Sequence, residues 1–146
     1  MKYTGHIDIN KPLNEVFEFW KNSENNHLWQ DGFVKITLLE GKENEVGSKS
    51  EIVLKHGKND MLLLETILNV NFPYGKEALY EHKHMSNTQK TIFEPISETQ
   101  TRYKTEVEYV KFNGFLPKLM GKLFPSMFRK QSEKWMMQFK DACEKK

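Results

Sequence analysis

The stretch that decides the fold is residues 116–143, LPKLMGKLFPSMFRKQSEKWMMQFKDAC. Its apolar residues recur at intervals of three and four, which is the period of an α-helix with one buried face. Such a helix needs an apolar surface to cover, and residues 32–111 have the pattern of a series of short strands. We therefore expect an α+β fold in which this helix covers one face of a curved antiparallel sheet, an arrangement that can enclose a cavity.

A proline divides this helical stretch into two parts. Residues 116–124 present one apolar face, whereas residues 128–143 present another that is rotated by roughly a third of a turn. Pro125 lies where the face changes, and proline kinks a helix because it removes a backbone donor. We predict a main helix from Ser126 to about Cys143, preceded by a segment, residues 116–124, that either swings as a lid or follows a static kink.

The N-terminal part of the chain predicts one strand and two short helices. In residues 3–9, one face carries Tyr3, Gly5, Ile7 and Ile9 and the other carries Thr4, His6 and Asp8. This alternation is the pattern of a strand with one buried face. Asn10 as N-cap and Pro12 near the first helical position predict a helix directly after this strand. A second, shorter helical piece fits residues 23–28.

Six further strands are predicted before the C-terminal helix. They are residues 33–39, 50–55, 61–72, 77–85, 90–96 and 101–109. The separating segments are short and rich in turn residues, Ser86-Asn87 among them, so an antiparallel meander is the simplest arrangement. The last strand alternates most clearly, and the face expected to look inward carries Thr101, Tyr103, Thr105, Val107 and Tyr109.

Length and composition limit the possible classes of protein. The chain has 146 residues, which suits one domain over residues 1–146, and its formal net charge of +2 provides no strong basic field for nucleic acid. The single cysteine, Cys143, forms no disulfide within a monomer and lies on the apolar stripe of the helix. Residues 1–10, MKYTGHIDIN, have no apolar signal core, and no stretch approaches the ~20 apolar residues of a membrane span. We expect a cytoplasmic protein, a monomer or homodimer, without stable membrane insertion.

Several core and turn signatures follow one another in a characteristic order. They are Ile7-Asp8-Ile9-Asn10-Lys11-Pro12 with Val16-Phe17, Trp29, Val46-Gly47-Ser48, Glu65-Thr66-Ile67, Phe93-Glu94-Pro95, Thr101 and the helix over residues 128–144. In this order the chain resembles the START-like superfamily of polyketide cyclases, dehydratases and lipid-transport proteins (SRPBCC), which includes the birch-pollen allergen proteins. The resemblance extends over essentially the whole chain.

The resemblance implies the helix-grip fold, in which a curved antiparallel sheet wraps around the long C-terminal helix, with an apolar cavity between them. Members of the superfamily bind lipids, sterols, polyketides or plant hormones, and some catalyse cyclisation or dehydration, without a catalytic residue common to all. We therefore expect binding or carrying of a small hydrophobic ligand, lipid-like or polycyclic, without a cofactor. The alternatives are a cofactor-free cyclase- or dehydratase-like enzyme that uses a pocket carboxylate or histidine, and a protein-interaction module.

The predicted ligand site combines inward strand positions with the helix face above them. Its residues are Phe93, Tyr103, Thr105, Val107, Tyr109, Phe128, Ser132, Trp135 and Phe139. Such an aromatic chamber with a few hydroxyl groups suits a flat or lipid-like molecule, although the same side chains could simply fill the core. Ser132 favours a pocket, because a hydroxyl within an apolar stripe needs a hydrogen-bonding partner or a cavity.

Few ionisable residues are candidates for chemistry. His82 and His84 share one strand face and could form a metal pair or provide a general base. A hairpin turn at Ser86-Asn87 would direct that face to solvent, so we expect no metal site, and Glu81 and Lys83 would then face the cavity. Glu65 is a further candidate, a carboxylate in an otherwise apolar strand, for which a position at the rim or a lysine partner is the alternative.

The C-terminal helix also carries a basic face. Its cations are Lys118, Lys122, Arg129, Lys130, Lys134 and Lys140. They could touch an anionic membrane transiently while a ligand passes, or they form only the solvated back of the helix.

Overall fold

The computed structural model describes residues 2–114 and 125–146. Its elements in chain order are β1 Lys2–Ile9, α1 Leu13–Lys21, a 3-10 helix Ser23–Asn25, α2 Asn26–Trp29, β2 Phe33–Glu40, β3 Lys49–His56, β4 Asn59–Asn71, β5 Gly75–Glu81, β6 Met85–Ser97, β7 Gln100–Phe112 and α3 Pro125–Glu144. The strands form one seven-stranded antiparallel sheet in the order β1-β7-β6-β5-β4-β3-β2. The predicted fold class is therefore confirmed.

The sheet is a meander from β2 to β7, and β1 adds to it beside the last strand. In the pairing of β1 with β7, Ile9 lies opposite Thr101 and Tyr3 lies opposite Val107. Thr101, Tyr103, Thr105 and Val107 are all buried, which confirms the predicted inward face of β7. Each short connection joins neighbouring strands, as the spacing of the turn residues predicts.

The inner face of the sheet continues from β7 across β6, β5 and β4. Thr91 on β6 lies opposite Thr105, and Lys76 on β5 lies opposite Thr91. Further along β5, Tyr80 is paired with Glu65 on β4. Since alternate residues of a strand point to the same side, these side chains share the inner face of the sheet with the buried face of β7.

Helix α3 packs closely against β1 and α2. Phe139 is 0% exposed and lies against Tyr103, with ring centroids 5.0 Å apart. One turn earlier, Met136 passes over Gly5, where an added Cβ would lie 3.4 Å from the Met136 sulfur. The helix therefore covers the β1 and β7 side of the inner face.

Polar contacts fix the helix at both ends of this packing surface. Lys134 Nζ lies 2.8 Å from Asp31 Oδ2, and Lys140 Nζ donates to the backbone oxygen of Asp8 at 2.7 Å. The backbone N–H of Asn10 donates to Glu144 Oε2 at 2.8 Å. Two of the cations of the predicted basic face thus anchor the helix. Arg129 and Lys130 are exposed, and the two more N-terminal cations lie outside the described residues.

One local prediction, the turn at Ser86-Asn87, was wrong. The turn lies earlier: β5 ends at Glu81, the His82 N–H donates to the Met85 carbonyl at 2.9 Å, and Ser86 and Asn87 belong to β6. Pairing with strands on both sides outweighs the turn preference of these two residues, since Asn87 lies opposite both Tyr80 and Tyr109.

The start of the first helix also differs from its prediction. Pro12, not Asn10, is the N-cap of α1, and it provides no side-chain hydrogen bond. The backbone of Asn10 instead binds Glu144. The main helix is found over nearly its predicted range, whereas the predicted lid, residues 116–124, lies outside the described residues.

No helix in residues 2–114 or 125–146 is long and apolar enough to cross a membrane.

Candidate functional site

Three of the predicted site residues form an aromatic layer between the sheet and α3. Phe93, Tyr103 and Phe139 are 1%, 3% and 0% exposed. The ring centroids of Phe93 and Tyr103 lie 5.3 Å apart, and those of Tyr103 and Phe139 lie 5.0 Å apart, in edge-to-face arrangements. Trp20 of α1 packs on the other side of Phe93 at 5.4 Å. Such contacts between rings hold the Tyr103 side chain in one orientation.

A second group of predicted residues lies further along β7, under the first half of α3. Thr105 and Val107 are buried, and the Thr105 hydroxyl donates to the Met136 sulfur at 3.8 Å. The Tyr3 hydroxyl shares hydrogen bonds with Ser132 and Tyr109, and burial raises the pKa of Tyr3 despite these bonds. Tyr3 is therefore the polar partner that the Ser132 hydroxyl needs.

Trp135 lies at the edge of the described inner face. Trp135 is half-buried, and its indole Nε1–H donates to the Asp31 carbonyl at 3.3 Å, so it links α3 to the segment before β2. The side chain of Phe128 lies outside the described residues.

The inner face also carries a buried polar cluster, of which the sequence predicted only one member. Glu65 is 6% exposed, and its Oε2 accepts hydrogen bonds from the Tyr80 hydroxyl at 2.7 Å and from Lys76 Nζ at 3.3 Å. The Lys76 ammonium also lies 5.1 Å from the centroid of the Trp20 ring, within the range of a cation–π contact. We call Glu65, Lys76 and Tyr80 the inner polar cluster. Of the alternatives for Glu65, the structure contains the lysine partner.

The environment of the cluster keeps the Tyr80 hydroxyl protonated. Burial raises the pKa of Tyr80 well above its ordinary value, and the negative charge and hydrogen bond of Glu65 raise it further, as does Tyr103 nearby. Burial also raises the pKa of Tyr103. Around neutral pH both phenols are therefore neutral hydrogen-bond donors and not bases.

Two polar atoms in and next to the inner polar cluster have no hydrogen-bond partner in the described part of the chain. They are Tyr103 Oη and Glu65 Oε1. Neither atom is among the fully buried, unpartnered side-chain atoms of that part, which are Trp29 Nε1 and Gln138 Oε1. Each atom therefore keeps a small solvent-accessible area, in residues that are 3% and 6% exposed.

No family model and no curated protein sequence matches this chain. Solved structures match it over nearly its full length. The ZhuI aromatase/cyclase from Streptomyces sp. R1128 superposes with a TM-score of 0.80 at 8% identity, covering 99% of this chain and 93% of that protein. The protein TTHA0849 of Thermus thermophilus gives 0.78 at 14% identity, covering 98% and 97%. The protein Ara h 8.0201 gives 0.74 at 12% identity, covering 100% and 99%.

The chain has the START-like, helix-grip fold. The resemblance inferred from the order of its elements is confirmed at the level of the fold. Sequence identities of 8% to 14% carry no ligand, reaction or residue role from these proteins to this one.

Of two pockets in this helix-grip chain, one lies away from the inner polar cluster and the other is lined in part by Lys76 of that cluster. One, of about 420 Å³, lies between α2 and the end of α3 and is lined by Leu28, Gln138, Asp141, Ala142, Lys145 and Lys146. The other, of about 320 Å³, lies around the start of β5 and includes Tyr74, Glu77 and Lys90. Both are lined largely by polar or charged residues, which distinguishes them from the aromatic layer next to the cluster.

The histidine pair lies in the turn between β5 and β6. The rings of His82 and His84 are 5.3 Å apart, and no group of three or more possible metal ligands occurs among the described residues. The expectation that Glu81 and Lys83 face the cavity was wrong, because both are exposed and the inner face of β5 carries Tyr80 instead.

The sequence contains only part of the signal for the polar cluster. Lys76 and Tyr80 are four residues apart and therefore lie on one face of a strand. Which face looks inward depends on the pairing of β5 with β4. That pairing contains an irregularity between Ile67 and Asn69, which no pattern of alternation predicts.

Proposed function

We propose that the protein binds a small hydrophobic molecule, lipid-like or polycyclic, between the inner face of the sheet and α3. The observation that carries this proposal is the inner polar cluster beside the aromatic layer, deep on the inner face, where Tyr103 Oη and Glu65 Oε1 take part in no described hydrogen bond. The space between the cluster and the layer is the proposed ligand site. Ligand sites are usually concave and mostly apolar, with a small number of placed polar groups. The aromatic layer provides the apolar wall of this space, and the inner polar cluster provides the polar groups.

The residues predicted from the sequence have different parts in this proposal. Tyr103 borders the space directly, and Phe93 and Phe139 support its ring from two sides. The remaining predicted residues of β7 and α3 extend the wall from there. These are Thr105, Val107, Tyr109, Ser132 and, at the edge, Trp135, whereas the side chain of Phe128 lies outside the described residues.

A substitution that fills the space tests this proposal. Gln89 is half-buried on the inner face of β6, between Ala78 and Val107 of the neighbouring strands. In a Gln89→Trp variant the indole ring would occupy the space, and we expect it to weaken binding of the fluorescent apolar probe N-phenyl-1-naphthylamine by about tenfold or more, which corresponds to about 1.4 kcal/mol. Circular dichroism establishes that the variant is folded.

The adjacent residue offers a matched control. Lys90 points to the outer face of the same strand, with 52% of its side chain exposed. Lys90→Trp adds the same ring outside the space and should leave probe affinity unchanged. Equal affinities in the two variants, or no saturable binding by the wild-type protein, would show that the probe does not bind between the sheet and α3.

A cofactor-free, cyclase- or dehydratase-like enzyme is the second candidate. One observation favours it: the ionisable pair of Glu65 and Lys76 borders the same space as the Tyr80 hydroxyl. The single O–H of Tyr80 is already donated to Glu65, and its raised pKa keeps it protonated, so Tyr80 provides neither a free donor nor a base. Both described hydrogen bonds of Glu65 converge on Oε2, so Oε1 would be the atom that accepts a proton. A co-purifying ligand recovered with unchanged mass after incubation supports binding. Loss of one water molecule from that ligand supports the enzyme.

A further inference from the structure

The ion pair within the inner polar cluster lies in an energetically unfavourable position. The side chains of Lys76 and Glu65 are 13% and 8% exposed, with their charged atoms 3.3 Å apart. Removing two charges from water often costs more than their attraction returns, and well-packed apolar residues of similar size commonly give equal or greater stability. Fold stability alone therefore does not explain why charges lie on the inner face of a hydrophobic site.

The cluster has hydrogen-bonding capacity that its own contacts do not use. A lysine ammonium has three N–H donors, and the described contacts of Lys76 direct one of them to Glu65 Oε2. The Trp20 ring lies against the ammonium on another side. Glu65 Oε1 accepts no hydrogen bond in the described part of the chain and keeps a small solvent-accessible area. A donor and an acceptor thus lie next to each other at the same space.

The third residue of the cluster positions this pair. The Tyr80 hydroxyl donates to Glu65 Oε2 at 2.7 Å, the same oxygen that accepts from Lys76. Two donors on one oxygen fix the carboxylate plane and leave the other oxygen for a ligand. Tyr80 is therefore a positioning residue for Glu65.

The charge of the cluster restricts which ligand group fits. One carboxylate and one ammonium sum to zero, so a ligand carboxylate would add an uncompensated negative charge beside Glu65. A ligand amine would do the same, with opposite sign, beside Lys76. A ketone or ether only accepts hydrogen bonds and leaves Glu65 Oε1 unused. A hydroxyl group is neutral, donates to the carboxylate oxygen and accepts from the ammonium.

We propose, on the basis of the proposed binding function, that the natural ligand is an uncharged hydrophobic molecule with a hydroxyl group, a phenol or an alcohol, which hydrogen-bonds to Glu65 Oε1 and Lys76 Nζ. The aromatic layer holds the apolar body of this molecule. The inner polar cluster recognises the hydroxyl end.

Three probes of one shape test the proposal on the wild-type protein. Naphthalene, 2-naphthol and 2-naphthoate share the same ring system and differ in bearing no polar group, a hydroxyl or a carboxylate. Competition with N-phenyl-1-naphthylamine at pH 7 measures the affinity of each. We expect 2-naphthol to bind about tenfold more tightly than naphthalene, and 2-naphthoate to bind more weakly than 2-naphthol.

A double substitution removes the cluster's charges without leaving one unpaired. Glu65→Leu with Lys76→Met replaces both charged side chains by apolar ones of similar size. We expect naphthalene to bind as before and the preference for 2-naphthol to disappear. The matched control is Glu94→Leu with Lys104→Met, which removes an ion pair of 3.0 Å whose side chains are 47% and 38% exposed. This control should keep the preference.

The outcomes separate the two proposals. If naphthalene and 2-naphthol bind wild-type protein equally well, or if the preference persists in the Glu65→Leu, Lys76→Met variant, the hydroxyl proposal is wrong and hydrophobic binding stands. If the wild-type protein binds none of the probes, including N-phenyl-1-naphthylamine, the binding function itself is wrong. Should the double variant fail to fold, the comparison of probes on wild-type protein still decides the matter.

Discussion

At the scale of single residues, Phe139 and Trp135 show how one helix face divides between core and boundary. They are four residues apart and so lie on neighbouring turns of the same side of α3. Phe139 is fully enclosed by aromatic rings, whereas Trp135 lies half-buried over the segment before β2 and donates one hydrogen bond to the Asp31 carbonyl. Residues of the same apolar stripe therefore contribute unequally to the free energy of unfolding.

This difference predicts unequal costs of truncation. Phe139→Ala should lower the free energy of unfolding by about 3–5 kcal/mol, because it leaves a cavity in a closed core. Trp135→Ala should cost less, roughly 1–2 kcal/mol, since part of its surface already contacts water. Urea denaturation of both variants measures the two losses. A loss for Trp135→Ala equal to that for Phe139→Ala would contradict the half-buried position of the indole ring.

Single residues also show which parts of the site a sequence can predict. The inward face of β7 follows from alternation within one strand and needs no knowledge of its neighbours, so Tyr103 and Thr105 were placed correctly on that face. The partner of Glu65 depends on how β4 pairs with β5. A shift of one residue in that register would exchange the two faces, and for this reason Lys76 and Tyr80 were not predicted as its partners.

At the scale of the elements, β5 begins at a position that only glycine tolerates. Gly75 has φ 148°, and an added Cβ would lie 1.9 Å from the Thr91 carbonyl oxygen of β6. The close approach brings β5 and β6 together next to Lys76, which lies opposite Thr91. The entry of the chain into β5 and the geometry of the inner polar cluster are thus linked.

We therefore expect Gly75→Ala to destabilise the protein more than a glycine substitution in an open turn. Gly57 has φ 65° and nothing within 4 Å of an added Cβ, so Gly57→Ala should cost only the left-handed backbone strain, about 1–2 kcal/mol. Gly75→Ala adds a backbone clash and should lower the free energy of unfolding by at least about 1 kcal/mol more. Equal losses on urea denaturation would contradict the close approach of β5 and β6.

Prediction from the sequence was successful for the existence and order of elements and weaker for their ends. The order of strands and helices follows from local periodicity, whereas the turn between β5 and β6 is decided by pairing on both sides of β6. A Ser-Asn pair favours a turn only where no neighbouring strand competes for its backbone. Here both residues lie within the sheet.

At the scale of the whole molecule, the position of α3 determines where a ligand fits. The helix packs on β1 and α2, so the aromatic layer closes that side of the inner face, and the inner polar cluster lies beside it on β4 and β5. The fold is shared with proteins of 8% to 14% identity, so the fold alone assigns no ligand to this chain. The central claim is that a hydrophobic ligand lies in the space between the cluster and this layer and not in either surface pocket.

Amide chemical-shift mapping tests this claim most directly, because a 17.3 kDa chain gives well-resolved spectra. Titration of ¹⁵N-labelled protein with 2-naphthol should shift the amide resonances of β5, β6 and β7 around Tyr80, Gln89 and Tyr103. Nuclear Overhauser effects should connect the ligand protons with the Tyr80 and Tyr103 rings. Shifts confined to Leu28 and the end of α3, or to the pocket around Tyr74 and Lys90, would place the ligand outside the space between sheet and helix and contradict the account.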